Sequence, residues 1–90
     1  MGLDIVEMVM ALEEAFQVRL PEQELGPIRT VGELYDCLLR HLPPDHMHTA
    51  GKSYEGALWE HYLDVIERET GADRHRLRPA ATFVYDLGLY

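Results

Sequence analysis

The residue types that do chemistry in proteins are sparse in this chain, and few stand at spacings that chemistry needs. Gly51-Lys52-Ser53 matches the end of a phosphate-binding loop, but that loop requires a glycine five residues before Gly51, where His46 stands. No strand leads into it either. Asp45, His46 and His48 offer metal-type donors within one short segment, without an evident fourth ligand, so no metal is expected. Cys37 is the sole cysteine, which rules out an internal disulfide and a site built from several thiolates. His61 on a helix and His75 in a basic loop have no nucleophile partner for catalysis. Glu13-Glu14 and Glu67/Glu69 read as solvated charges rather than as an acid–base pair. Arg74, Arg76 and Arg78 form a small basic cluster suited to intramolecular ion pairing, and Trp59 and Tyr62 to packing rather than a ligand cage. An enzyme is not expected.

The chain's 90 residues suffice for one domain around a modest core, and 47% apolar residues argue against disorder. Sixteen acidic against eight basic residues give a formal charge of −8, so the basic footprint of a nucleic-acid binder is missing and an anionic membrane is disfavoured. The partner surface expected from charge alone is basic and proteinaceous. There is no basic-then-apolar leader pattern and no apolar stretch of membrane-spanning length, which gives a cytoplasmic expectation.

Three helices are legible. Over residues 3–16, Ile5, Met8, Val9, Leu12 and Phe16 fall on one helical face, and Leu3, Val6 and Met10 form a second apolar stripe beside it. Pro21, Gly26 and Pro27 mark 17–29 as a loop holding one short helical turn. Thr30 with Glu33 is a capping-box pair opening a helix over 31–41 that buries Val31, Leu34, Tyr35, Leu38 and Leu39. Residues 42–53 have linker composition, and Pro43-Pro44 stop the helix before them. Ser53 is placed to cap a helix from Tyr54 to Thr70, with Leu58, Tyr62, Val65 and Ile66 inward, Trp59 at the border and Gly71 as a left-handed stop. The tail reads as an ordered loop anchored by Leu77, Phe83, Val84 and Leu87. With no period-two alternation, the fold class is all-α: a small bundle of three main helices plus one short helix.

The stretch LDIVEMVMALEEAF resembles the second helix of acyl and peptidyl carrier proteins, and IRTVGELYDCLL resembles that family's last helix. ALWEHYLDVIERETGADRHRLRPAATFVYDLGLY resembles the family's first helix and long first loop, which ends in the signature matched by Phe83, Val84, Asp86, Leu87 and Gly88. In the family this second piece comes first. The resemblance therefore implies one domain over 1–90 in circularly permuted order, with 2–41 as the family's C-terminal half, 42–53 as a linker and 54–90 as its N-terminal half. It arises equally from a natural permutation, an engineered one, or a window cut across two tandem domains.

The family attaches 4'-phosphopantetheine to a serine at the start of the helix matched by 3–16. Gly2 occupies that position, and the only serine, Ser53, lies outside the family's aspartate-serine-leucine context. The resemblance thus implies a domain of fatty-acid or polyketide-type biosynthesis with no attached cofactor, acting as a non-loaded docking or regulatory module. By the family's pattern, its partners would be enzymes that recognise carrier proteins through a basic surface, reading Leu3, Asp4, Val6, Glu7, Met10, Glu13 and Glu14. Ala15 stands where the family often has an acidic residue. The alternatives are a true carrier whose attachment site is lost through permutation or a serine-to-glycine change, and a domain-swapped homodimer in place of a monomer.

Overall fold

The computed structural model describes residues 3–42 and 54–89. Helix α1 spans Leu3–Phe16, the single-turn α2 Glu22–Leu25, α3 Val31–His41 and α4 Ala57–Thr70, followed by a 3-10 turn at Arg74–Arg76. The expected all-α bundle of three longer helices and one short one is thus present, and no helix among the described residues is long and apolar enough to cross a membrane. The Gly2 position, the linker with Ser53 and its histidines, and Tyr90 lie outside the described residues.

The inward faces follow from sequence spacing. Ile5, Met8, Val9, Leu12 and Phe16 of α1, which packs on α4, are all buried in the core. From α3, Val31, Leu34, Tyr35 and Leu38 join them, while Leu39 is half-buried. From α4 come Leu58, Tyr62, Val65 and Ile66. Trp59, expected at the border, is buried as well: its ring meets Tyr35 edge-on at 4.8 Å and Tyr54 at 5.4 Å, so an aromatic cluster draws it inside.

The start of α4 differs from expectation. The helix begins at Ala57, with Gly56 at its N-cap at φ 94° and Tyr54 at φ 52°, so Tyr54 stands outside it. Tyr54 instead donates a 2.9 Å hydrogen bond to Asp36 and stacks near Tyr35, contacts to α3 that a helical backbone at 54 does not serve. At the other end Gly71 is left-handed at φ 75°, and its amide closes on Glu67.

The tail loop is fixed by α3. The amides of Val31 and Gly32, which have no partner within the helix, donate to the carbonyls of Ala81 and Pro79, each at 2.9 Å. Thr30 and Thr82 form an isolated antiparallel bridge beside them. Gly32 is required by this approach, since a Cβ there would lie 2.9 Å from the Pro79 carbonyl oxygen. Leu77 and Phe83 anchor the loop as expected and Leu87 is half-buried, but Val84 is exposed. Ala81 and Leu89 are buried instead, because Gly88 at φ 69° turns the chain back so that the Leu89 amide reaches the Phe83 carbonyl at 2.8 Å.

Candidate functional site

Helix α1 buries one face and turns the other outward. Asp4, Glu7 and Glu14 are exposed, as are Val6 and Met10, the latter 60% so. Glu7, Met10 and Glu14 stand three and four residues apart, which places a thioether between two carboxylates on one stripe. Leu3 begins the helix. Glu13 belongs to this face by spacing, yet its carboxylate accepts the Leu20 amide at 2.8 Å and so holds the loop that leaves α1. The stripe borders Arg68 and Glu69 of α4 across a shallow groove.

Beside the N-terminal half of α1 lies an apolar cleft of about 600 Å³. Ile5 and Val9, Leu25 and Ile28, and Phe83 and Val84 line it, so the chain's two halves meet there. Tyr85, 89% exposed, stands at its edge. Thr82 also lines the cleft, but its amide and hydroxyl are both taken up by the Asp86 carboxylate, at 2.7 and 3.0 Å. These two bonds, the backbone one first, hold Asp86 below the usual aspartate range. Phe83, Asp86 and Gly88 of the tail signature therefore have structural duties: core, loop closure and turn. Thr82 and Tyr85 supply the hydroxyls at the cleft, and Gly2 and Ser53 lie outside the described residues.

Other candidates resolve into ion pairs and packing. Arg74 joins Glu60 at 2.6 Å, Asp64, and Glu67 at 3.4 Å, fastening the 3-10 turn to α4. Arg76 donates to the Asp86 carbonyl at 2.6 Å. His61 stacks on Phe16 with ring centroids 4.7 Å apart. Burial pushes the Cys37 thiol up, away from nucleophile chemistry. One grouping escaped the sequence reading: Glu24, Cys37 and His41 offer donor atoms within 4.8 Å of one another. Only the Cys37/His41 spacing of four residues signalled it; Glu24 arrives from another element.

A small helical bundle with an acidic, apolar-striped helix beside an apolar cleft is the class that fold and site define. Over 40 residues the chain is 51% identical to the acyl carrier protein of Syntrophobacter fumaroxidans, covering 44% of this chain and 49% of that protein. It is 41% identical to that of Clostridium acetobutylicum (44% and 52% covered) and 46% identical to that of Rubrobacter xylanophilus (44% and 49% covered), each over 40 residues. The relatives are acyl carrier proteins, as the resemblance of the motifs implied, and carriers rather than enzymes by name. The chain spans about half the length of the curated relatives it matches. No family model and no solved structure matches it.

Proposed function

We propose that this chain is a carrier-protein domain in permuted order, carrying no phosphopantetheine, that docks through α1 on enzymes recognising acyl carrier proteins. The observation that carries the reading is the cleft that Phe83 and Val84 line together with Ile5 and Val9, so that the end of one half adjoins the start of the other. This adjacency is what a carrier domain read in the order 54–90, then 2–41, requires.

Without a hydroxyl at Gly2, the domain presents the recognition helix without a cargo. Asp4, Glu7 and Glu14 supply negative charge, and Val6 and Met10 supply apolar contact, with Glu13 setting the loop rather than facing the partner. Charge of this kind mainly raises the encounter rate with a basic surface, while the buried apolar residue sets the dissociation rate. The domain then competes with loaded carriers or scaffolds their enzymes.

The test is competition. The chain should slow the loading of an authentic acyl carrier protein by a phosphopantetheinyl transferase, while gaining no mass itself from coenzyme A. A Glu7→Lys/Glu14→Lys variant should lose that inhibition. Inhibition untouched by the double variant, or a chain that itself takes up one phosphopantetheine, would overturn the proposal.

A further inference from the structure

The grouping of Glu24, Cys37 and His41 lies outside the α1 face and the apolar cleft. Cys37 and His41 stand four residues apart on α3, which puts both on one side of the helix. Glu24 comes from α2, 13 and 17 residues earlier, and its Oε1 lies 3.9 Å from Cys37 Sγ while its Oε2 lies 3.0 Å from His41 Nε2. All three donor atoms fall within 4.8 Å of one another. A tetrahedral zinc ion with bonds of about 2.0–2.3 Å needs its ligands about 3.5 Å apart. The set therefore needs to close by about one ångström, which half-buried Glu24 and His41 side chains can supply by rotation.

We propose that Glu24, Cys37 and His41 bind a thiophilic divalent cation of the zinc type, with the fourth position left to water. The donor chemistry selects that class: thiolate and imidazole favour zinc over calcium or magnesium, which take oxygen ligands. On binding, the Cys37 S–H bond gives way to a sulfur–metal bond and the proton leaves to solvent. Thiolate and carboxylate then balance the divalent charge, and the imidazole binds as the neutral ring. Arg40, whose Nη2 lies 3.3 Å from Glu24 Oε1, neutralises that carboxylate when no cation is bound. Its side chain is 58% exposed, so it turns into water when the cation takes its place. The ion would clamp α2 to the last turn of α3. Leu25, next to Glu24, lines the apolar cleft, so the clamp would also set one wall of it.

Cobalt(II) titration of the reduced protein tests this directly. Thiolate-to-cobalt charge transfer in the near ultraviolet and tetrahedral visible bands should rise together and saturate at one ion per chain. Cys37→Ala should abolish the charge-transfer band. Because that side chain is in the core, helical circular dichroism of the variant must match the parent, and His41→Ala gives a second variant nearer the surface. His41→Ala should weaken binding by more than about tenfold, the loss that even partners outside the coordination sphere can cause. No charge-transfer band at stoichiometric cobalt, a band that survives Cys37→Ala, or an affinity unchanged in His41→Ala would each overturn the assignment, leaving the trio as a Glu24–His41 hydrogen bond beside a buried thiol.

Discussion

Two tyrosines of the aromatic cluster show how single hydroxyls separate stabilising from destabilising burial. Tyr62 and Tyr35 are both wholly buried, with ring centroids 5.0 Å apart. The Tyr62 hydroxyl donates to the Val31 carbonyl at 2.7 Å, linking α4 to the first turn of α3. The Tyr35 hydroxyl has no partner among the described residues. A buried polar group without a partner costs about 1–3 kcal/mol, and a satisfied one contributes about 1 kcal/mol. Tyr62→Phe should therefore lower the unfolding free energy by about 1 kcal/mol in urea melts, and Tyr35→Phe should leave it unchanged or raise it. A larger loss from Tyr35→Phe than from Tyr62→Phe would show the hydrogen-bond assignment to be reversed. The Gly32 position has a sharper constraint, since the Pro79 carbonyl that an added Cβ would meet is backbone and is itself hydrogen-bonded to the Gly32 amide. Gly32→Ala should cost about 1–3 kcal/mol through that clash, despite the better helix propensity of alanine, and a stabilised variant would contradict the close approach.

At the scale of elements, the entrance to α3 shows why some boundaries were legible and others were not. Thr30 Oγ1 accepts the Glu33 amide at 3.1 Å, and Glu33 Oε1 accepts the Arg29 and Thr30 amides at 2.8 and 3.0 Å. That box is local, so Thr30 and Glu33 announced it, and apolar spacing alone gave the limits of α1. The start of α4 depends instead on Tyr54 reaching Asp36, 18 residues away, and the burial of Trp59 depends on Tyr35. Neither is written in the helical period of 54–70. The duty of Glu13 toward Leu20 was hidden likewise, because it concerns where the loop returns. The box also sets an acid limb. The Arg29 amide first, then that of Thr30, holds the Glu33 carboxyl below the usual glutamate range, and the His41 hydrogen bond foremost does so for Glu24. A carboxyl whose folded pKa is depressed contributes stability above its unfolded value, about 4.3, and loses it as pH falls through the folded value. Unfolding free energy should thus decline as the pH drops below about 4.3, and Glu33→Gln should flatten that decline while lowering stability at pH 7. A variant with the same acid slope as the parent would remove Glu33 from the account. Thr30→Ala should cost about 1 kcal/mol at neutral pH, measured in the same melts.

The whole molecule raises the question of chain order. Its two described parts form one core, in which α1 lies against α4 and the tail loop caps α3. If the order is a permutation, connectivity is incidental to that core, and a chain rearranged as 54–90 followed directly by 2–42 should fold to the same bundle. Leu42 is buried in the core and stays with α3, whereas omitting residues 43–53 is tolerable, because the permuted reading makes them a bridge. The rearranged chain also rebuilds the loop before α1, where Tyr90 would be followed by Gly2 and Leu3. Tyr90→Asp and Gly2→Ser in that context recreate the family's aspartate-serine-leucine motif at the head of a helix that already opens with Asp4 in its first turn. Incubated with coenzyme A and a phosphopantetheinyl transferase, this variant should gain the mass of one phosphopantetheine, and the rearranged chain without the serine should gain none. The same two substitutions in the present order should also leave the mass unchanged, because there Tyr90 and Gly2 stand at opposite ends of the sequence. Loading of the rearranged chain alone would establish that chain order and these two substitutions separate this domain from a working carrier. A rearranged chain that fails to form the helices, or that folds but stays unloaded with its serine in place, would refute the permuted reading, and with it the assignment of α1 as the recognition helix.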